Sequence, residues 1–180
     1  HTLGESSVGR ILDFGSTDMS FYINTGTSSS KWDLRFFVKW NGDIVYWEAA
    51  VDANMDEWAH VAVTYDASAP TNNPVLYYNG VAQSITEGGT TPTGTWLGID
   101  GSSCFIGAAA AGLFAFDGEI VDVAIWDSIL TTNEIAAIYS AYTIKSTTHT
   151  VGELGPRDLK GRIGALQTTA PGPSSGPAKA

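Results

Sequence analysis

The sequence predicts an all-β domain of antiparallel strands, closed by one short helix and followed by an extended tail. Two observations carry this. In Trp58-Ala59-His60-Val61-Ala62-Val63-Thr64-Tyr65-Asp66, the residues Val61, Val63 and Tyr65 recur with the period of two that a strand imposes. In Leu76-Tyr77-Tyr78-Asn79-Gly80-Val81, Asn-Gly sits between two apolar runs, the strongest short-range signal for a type I′ hairpin. Composition agrees: 11% aromatic residues and 20 glycines suit strands and turns, whereas a helical bundle would need more Leu, Ala, Glu and Lys. At 180 residues the chain can hold one core and an appendage.

The elements follow in order. Arg10 to Phe14 and Met19 to Ile23 flank the turn-rich Gly15-Ser16-Thr17-Asp18. Asp33 to Lys39 is the next strand, and Asn41-Gly42-Asp43 turns the chain into Ile44 to Glu48 as a second Asn-Gly hairpin. Val75 to Tyr78 and Val81 to Ile85 pair across Asn79-Gly80, and the Gly/Thr/Pro-rich stretch Glu87 to Thr95 is predicted to be an exposed loop. Trp96-Leu97 and Cys104 to Ile106 are short strands. Asp117 to Trp126 closes the series, with Val121, Val123 and Ile125 on one buried face and Ile120 out of step, which suggests a local irregularity. A helix is predicted over Thr132 to Tyr139. Thr131 caps it, Glu134 completes a capping box, Leu130 and Ile135 form the hydrophobic staple, and Ile135 and Ile138 face the strands.

Charge divides the chain in two. Residues 1–144 carry 17 acidic and 4 basic side chains, while residues 145–180 carry 2 acidic and 5 basic ones, and no Lys or Arg occurs between Trp40 and Ile144. So acidic a body repels phosphate backbones, which argues against nucleic acid as a partner. The basic tail is suited to an acidic body, its own or a neighbour's. No run of about 18 apolar residues exists to span a membrane. Cys104 is the single cysteine, so no intrachain disulfide forms; this favours folding in a reducing compartment, with Cys104 as a small buried side chain beside Phe105 and Ile106. The start at His1 reads as a processed or trimmed end.

Taken together, Trp58 to Asp66, Leu76 to Gly80, Phe105-Ile106-Gly107 and Phe116-Asp117-Gly118-Glu119-Ile120-Val121-Asp122-Val123-Ala124-Ile125-Trp126 resemble the laminin G-like, or concanavalin A-like, jelly-roll superfamily. Leu130 to Tyr139 is similar to that family's short helix after the last core strand. The resemblance implies an antiparallel two-sheet jelly-roll sandwich over residues 1–142, followed by a Gly/Pro/Ser-rich tail over 143–180 that holds a candidate edge strand at 142–151. It also implies one or two strands ahead of Gly9-Arg10-Ile11-Leu12-Asp13-Phe14-Gly15, where only eight residues stand. The sandwich is therefore expected to have an open edge, covered by residues 142–151 or by another subunit.

Candidate chemistry is sparse. Jelly-roll hydrolases need two carboxylates facing each other across a sugar. The nearest run, Glu119-Ile120-Val121-Asp122, puts its two on opposite faces of a regular strand. His60 lies on the strand face opposite Val61 and Val63, His1 is terminal, His149 is in the tail, and Cys104 has no activating base. No catalytic residue is predicted, and no cofactor. Asp52, Asp56, Asp100 and Asp117 occupy loop-like positions suited to calcium, but without an identifiable partner set. Exposed Trp in a sandwich stacks on sugar rings. Trp40 and Trp47, flanking Asn41-Gly42, and Trp96, after the long loop, are the candidates for such a surface, with Trp58 and Trp126 in the core. The sequence thus points to a non-catalytic recognition, adhesion and structural module at an extracellular or virion surface, a subunit of a larger assembly such as a capsid decoration or tail fibre. Its partners would be other subunits, reached through the tail and the open edge, and glycans. A free carbohydrate-binding domain is the alternative, and a glycoside hydrolase the third reading.

Overall fold

A computed structural model describes residues 8–15, 18–25, 32–41, 43–52, 57–96, 98–99 and 102–146. The chain divides into two units, His1–Ser140 and Ala141–Ala180. The first holds both sheets; in the second, the described residues 141–146 are helical.

The strands are β1 (Val8–Phe14), β2 (Met19–Thr25), β3 (Trp32–Trp40), β4 (Asp43–Val51), β5 (Val61–Thr64), β6 (Val75–Tyr78), β7 (Val81–Ala82), β8 (Thr86–Gly89) and β9 (Cys104–Ile106), and α1 is Thr132–Ser146. Six strands form one sheet in the order β8-β4-β3-β2-β1-β9, and three form the other in the order β5-β6-β7; every pairing is antiparallel. Two antiparallel sheets and, among the described residues, one short α-helix make the domain an all-β jelly-roll sandwich, as the sequence predicts.

The Asn79-Gly80 turn forms. Asn79 and Gly80 each have positive φ (49° and 76°), the type I′ requirement, and Tyr78 pairs with Val81. The turn is tied down from both sides: Asn79 N–H donates to the His60 carbonyl at 2.8 Å, and the Asn79 side-chain oxygen accepts from His60 N–H at 2.9 Å. Asn41 has φ 39°, and the pairing of Trp40 with Asp43 leaves two residues in the turn. Alternation along β3 and β4 then sends Leu34, Phe36, Val38, Val45, Trp47, Ala49 and Val51 into the core beneath Leu76.

A register shift between Arg10 and Leu12 has a local consequence. Arg10 pairs with Tyr22, Leu12 with Phe21 and Asp13 with Ser20. The extra residue Ile11 therefore brings Arg10 and Asp13, three apart, onto the same outward face.

Several predicted elements differ. Asp117 to Trp126 is not a strand: Asp122 has φ 53°, and Val121, Val123, Ile125 and Trp126 are 61, 42, 64 and 49% exposed. An apolar alternation makes a strand only where a neighbour completes its hydrogen-bond ladder, and neither sheet has taken this segment up. Part of the predicted loop is instead β8, paired with β4 through Glu48–Thr86 and Val45–Gly89. Val81 to Ile85 shortens to β7, and Trp96 is outside any strand, with Leu97 beyond the described residues. Cys104 is exposed, because β9 is an edge strand.

The capping box forms as read. Glu134 N–H donates to Thr131 Oγ1 at 3.3 Å, Thr131 N–H donates to Glu134 Oε2 at 2.7 Å, and Ile135 is buried. The helix, however, runs on to Ser146, so Tyr142 to Ser146 is helical where an edge strand over 142–151 is predicted; residues 147–180 lie outside the described residues. Ala136, Ala137 and Ala141 favour helix strongly enough to carry it past Tyr139.

Candidate functional site

The outward face of the six-stranded sheet carries a polar row that crosses five strands. Arg10, Tyr22, Arg35, Glu48 and Thr86 stand opposite one another in register. Arg35 Nε donates to Glu48 Oε2 at 3.0 Å, and Arg35 Nη2 makes a second, shorter contact with the same oxygen. The Arg35 guanidinium also lies 4.4 Å from the Tyr46 ring centroid and 5.8 Å from that of Tyr22. Arg10 sits 4.2 Å from the Tyr22 centroid, donates from Nη1 to Ser20 Oγ at 2.5 Å, and approaches the fully buried Asp13 at 3.6 Å. The row is thus an alternation of cations and aromatic rings.

Beyond β1 the chain folds back over this row. Arg10 N–H donates to the Phe114 carbonyl at 3.0 Å, Phe116 N–H donates to the Gly107 carbonyl at 2.8 Å, and the Phe114 ring lies 5.5 Å from the Arg10 guanidinium. On the β4–β8 side the face stays open. Asp33, Glu48, Ala50, Gln83, Ser84 and Thr86 line a depression of about 540 Å³.

Two groups here have displaced pKa values. Burial, reinforced by the Glu48 charge, pushes the Asp33 carboxyl above its ordinary range, against the pull of Arg35. Burial acts to lower the Arg35 value, but its contacts with Tyr22 and Glu48 outweigh that and hold it above the ordinary one. Asp33 is 6% exposed and has no hydrogen-bond partner among the described residues.

Of the three tryptophans predicted for a sugar-stacking surface, Trp40 and Trp47 are in the core instead. Trp40 and Trp47 are 1 and 0% exposed. The Trp40 indole N–H donates to Tyr65 Oη at 2.9 Å, and that of Trp47 donates to Asn73 Oδ1 at 3.0 Å and Glu87 Oε2 at 3.3 Å. The reason is parity: both indoles share the inward side with Val38 and Val45. Trp96 is half-buried, edge-on to Tyr65 with centroids 6.4 Å apart. The reverse holds for Trp58 and Trp126, predicted core, which are 64 and 49% exposed.

Glu119 and Asp122 are exposed on the segment that is not a strand. His60 is half-buried, 5.9 Å from the Tyr139 ring, and burial lowers its pKa. Of the calcium candidates, Asp52 and Asp117 are exposed, and Asp56 and Asp100 lie outside the described residues; among the described residues no three His, Cys, Asp or Glu converge. No described helix is long and apolar enough to cross a membrane.

Comparison with known families supplies the rest. The model of a laminin G-type family, described as the concanavalin A-like lectin/glucanases superfamily, matches residues 3–136. The chain belongs to this superfamily. The span matched to this superfamily includes both sheets, the polar row and the depression. The domain is also similar to the crystal structure of an S-layer domain-containing protein (residues 221–444) from Clostridium thermocellum ATCC 27405, at 21% identity and a TM-score of 0.36. That alignment covers 68% of this chain and 63% of the other, so this chain spans less than two thirds of the structure it is matched with. No curated protein matches.

Asp33 and Glu48 read in the sequence only as strand ends, not as site residues. Carboxylates on neighbouring strands leave no motif along the chain. The signal was the second hairpin: a two-residue turn at Asn41-Gly42 fixes Arg35 opposite Glu48 and leaves Asp33 diagonal to it on the same face.

Proposed function

We propose that this domain is a non-catalytic recognition and adhesion module at an exterior surface, working as one subunit of a larger assembly such as a capsid decoration or tail fibre. The observation that carries this is the exposed apolar run Val121, Val123, Ile125, Trp126 and Ile129. So much contiguous apolar surface is costly to leave in water and marks a protein interface. Its alternation suits a segment that completes its ladder on a neighbouring chain. Charge supports the same reading: the basic residues of 145–180 complement the acidic 1–144 of a neighbour.

Light scattering coupled to size exclusion tests this. The full chain is expected to elute as an oligomer at tens of micromolar, and the V121S/V123S/I125S variant as a monomer with an unchanged circular dichroism spectrum. A monomeric full chain at that concentration overturns the reading.

A further inference from the structure

The smaller sheet stops short of the larger one. Leu76 of β6 is buried in one cluster with Val45 and Trp47 of β4, and Tyr65, just past β5, lies 5.4 Å from Phe36 of β3. β7 leads through Gln83 and Ser84 into β8, so the free edge of β5 faces across β3 towards β2 and β1. There the core is thin. The inward Leu34, Phe36, Val38, Val45 and Trp47 are 0–3% exposed, whereas Leu12, Met19 and Ile23 on β1 and β2 are only half-buried, as are Val61 and Val63 of β5. The backbone of that edge is open as well. Asn79 N–H donates to the His60 carbonyl, so by antiparallel alternation Ala62 and Thr64 bond to β6. Val61 and Val63 therefore turn their N–H and C=O groups outward, where among the described residues nothing bonds to them. Resting on the reading of Val121 to Ile129 as an interface, we propose that β5 is the acceptor edge, and that residues 121–125 of a second copy of this chain add to it as an antiparallel strand.

Donor and acceptor match in pattern. The register that sets Val63 opposite Val123 also sets Val61 opposite Ile125 and Tyr65 opposite Val121, all on the side of Leu12 and Ile23. It leaves Ala62 opposite Ala124 on the outer side. Pairing also relieves the donor, since Asp122 at φ 53° is in a left-handed conformation that an extended strand would undo. Within one chain the two ends of the segment are held elsewhere: Ile120 packs beside Gly107, just past β9, and Thr132 Oγ1 lies 3.2 Å from Tyr77 Oη. A second copy is free of both ties. The other edges fit less well. β7 has two residues and β9 three, while β8 contains Glu87 and, at Gly89, a φ of 88°. β5 has four residues with no charge and no proline, the kind of edge that takes up a foreign strand.

Disulfide trapping between two differently marked chains tests the exchange. One full chain carries Ala62→Cys and the other Ala124→Cys, both with Cys104→Ser. In the proposed register these two positions form a non-hydrogen-bonded pair, whose Cα separation of about 4.5 Å a disulfide spans. Mixed and oxidised at tens of micromolar, the two chains are expected to give a disulfide that joins one of each, identified by mass spectrometry of the linked peptides. Val61→Pro is the second arm. It removes an N–H that faces away from β6, so the chain's own ladder stays whole, yet it should weaken assembly at least about tenfold by light scattering. If Val61→Pro does not fold, the mixed disulfide decides alone. An oligomer without the mixed disulfide, or a folded Val61→Pro chain that assembles like its parent, overturns the exchange and leaves the assembly reading standing. An internal disulfide in a chain with both cysteines gives the edge to that chain's own segment and overturns the exchange too. A monomeric parent chain overturns both.

Discussion

Arg35 and Glu48 face each other across the β3–β4 hairpin, with Arg35 Nε donating to Glu48 Oε2 at 3.0 Å while the guanidinium lies 4.4 Å from the Tyr46 ring centroid. One side chain thus serves two contacts that only a planar cation can make together. Both side chains are mostly withdrawn from water, at 21 and 25% exposure, so the pair is screened less than a surface ion pair.

A double-mutant cycle on this pair is expected to show real coupling. Arg35→Gln and Glu48→Gln, separately and together, followed by urea unfolding, should give an interaction energy of about 1 kcal/mol. Arg35→Lys keeps the charge but loses the stack on Tyr46, and should recover less than half of it. Additive single-variant effects would show the pair to be energetically idle.

Asp33 makes stability depend on pH in a defined direction. Its folded pKa is raised above the ordinary 3.8, first by burial and then by Glu48, with Arg35 opposing. The folded state therefore holds this proton more tightly than the unfolded state does, and the contribution is fully present below about pH 4, then lost as pH rises through the folded value. Asp33→Asn removes the penalty for ionising. The variant should be more stable than the parent at pH 7, with the advantage shrinking as pH falls through the raised folded value and gone below about pH 4; urea midpoints at pH 3.5 and 7 give the comparison, and an advantage equal at both would contradict it.

Tyr46 covers Gly88 so closely that a larger residue there must displace its ring. A Cβ built on Gly88 would fall inside the van der Waals envelope of the far end of the Tyr46 ring, whose centroid lies 4.4 Å from the Arg35 guanidinium. Gly88→Ala should cost about 1–3 kcal/mol, the usual range for overpacking. In a Tyr46→Ala background the same change should cost almost nothing, and a cost that persists there would assign the strain to the backbone of β8 instead.

The elements legible in the sequence were those with local causes. Asn79-Gly80 requires positive φ at both residues, and Thr131 and Glu134 satisfy each other's backbone; both features form as read. What could not be read depends on partners distant along the chain. Val121, Val123 and Ile125 have the pattern of a strand, yet a ladder needs a neighbour, and β1 pairs instead with Cys104–Ile106. Glu87 to Thr95 reads as a loop because Gly88 and Gly89 look like turn residues. They are small because Tyr46 and the Ile44 carbonyl come close, a cause that lies on β4.

The tryptophans give the sharpest test of the packing, because two readings assign them oppositely. Position beside a turn suggests that Trp40 and Trp47 are exposed, while strand parity places them with Val38 and Val45, and parity is what the fold obeys. Trp40→Ala and Trp47→Ala should each cost about 3–5 kcal/mol, since each empties a core position and strands the former partner of its indole N–H, Tyr65 or Asn73. Trp58→Ala and Trp126→Ala should stay within about 0.5 kcal/mol in the isolated subunit. Fluorescence gives an independent measure: acrylamide should quench a red-shifted component that Trp58→Phe and Trp126→Phe remove together and Trp40→Phe leaves in place. Where subunits assemble through the Val121 to Ile129 run, the Trp126 share of that component should become inaccessible while the Trp58 share remains, so quenching measured against protein concentration separates burial by folding from burial by assembly.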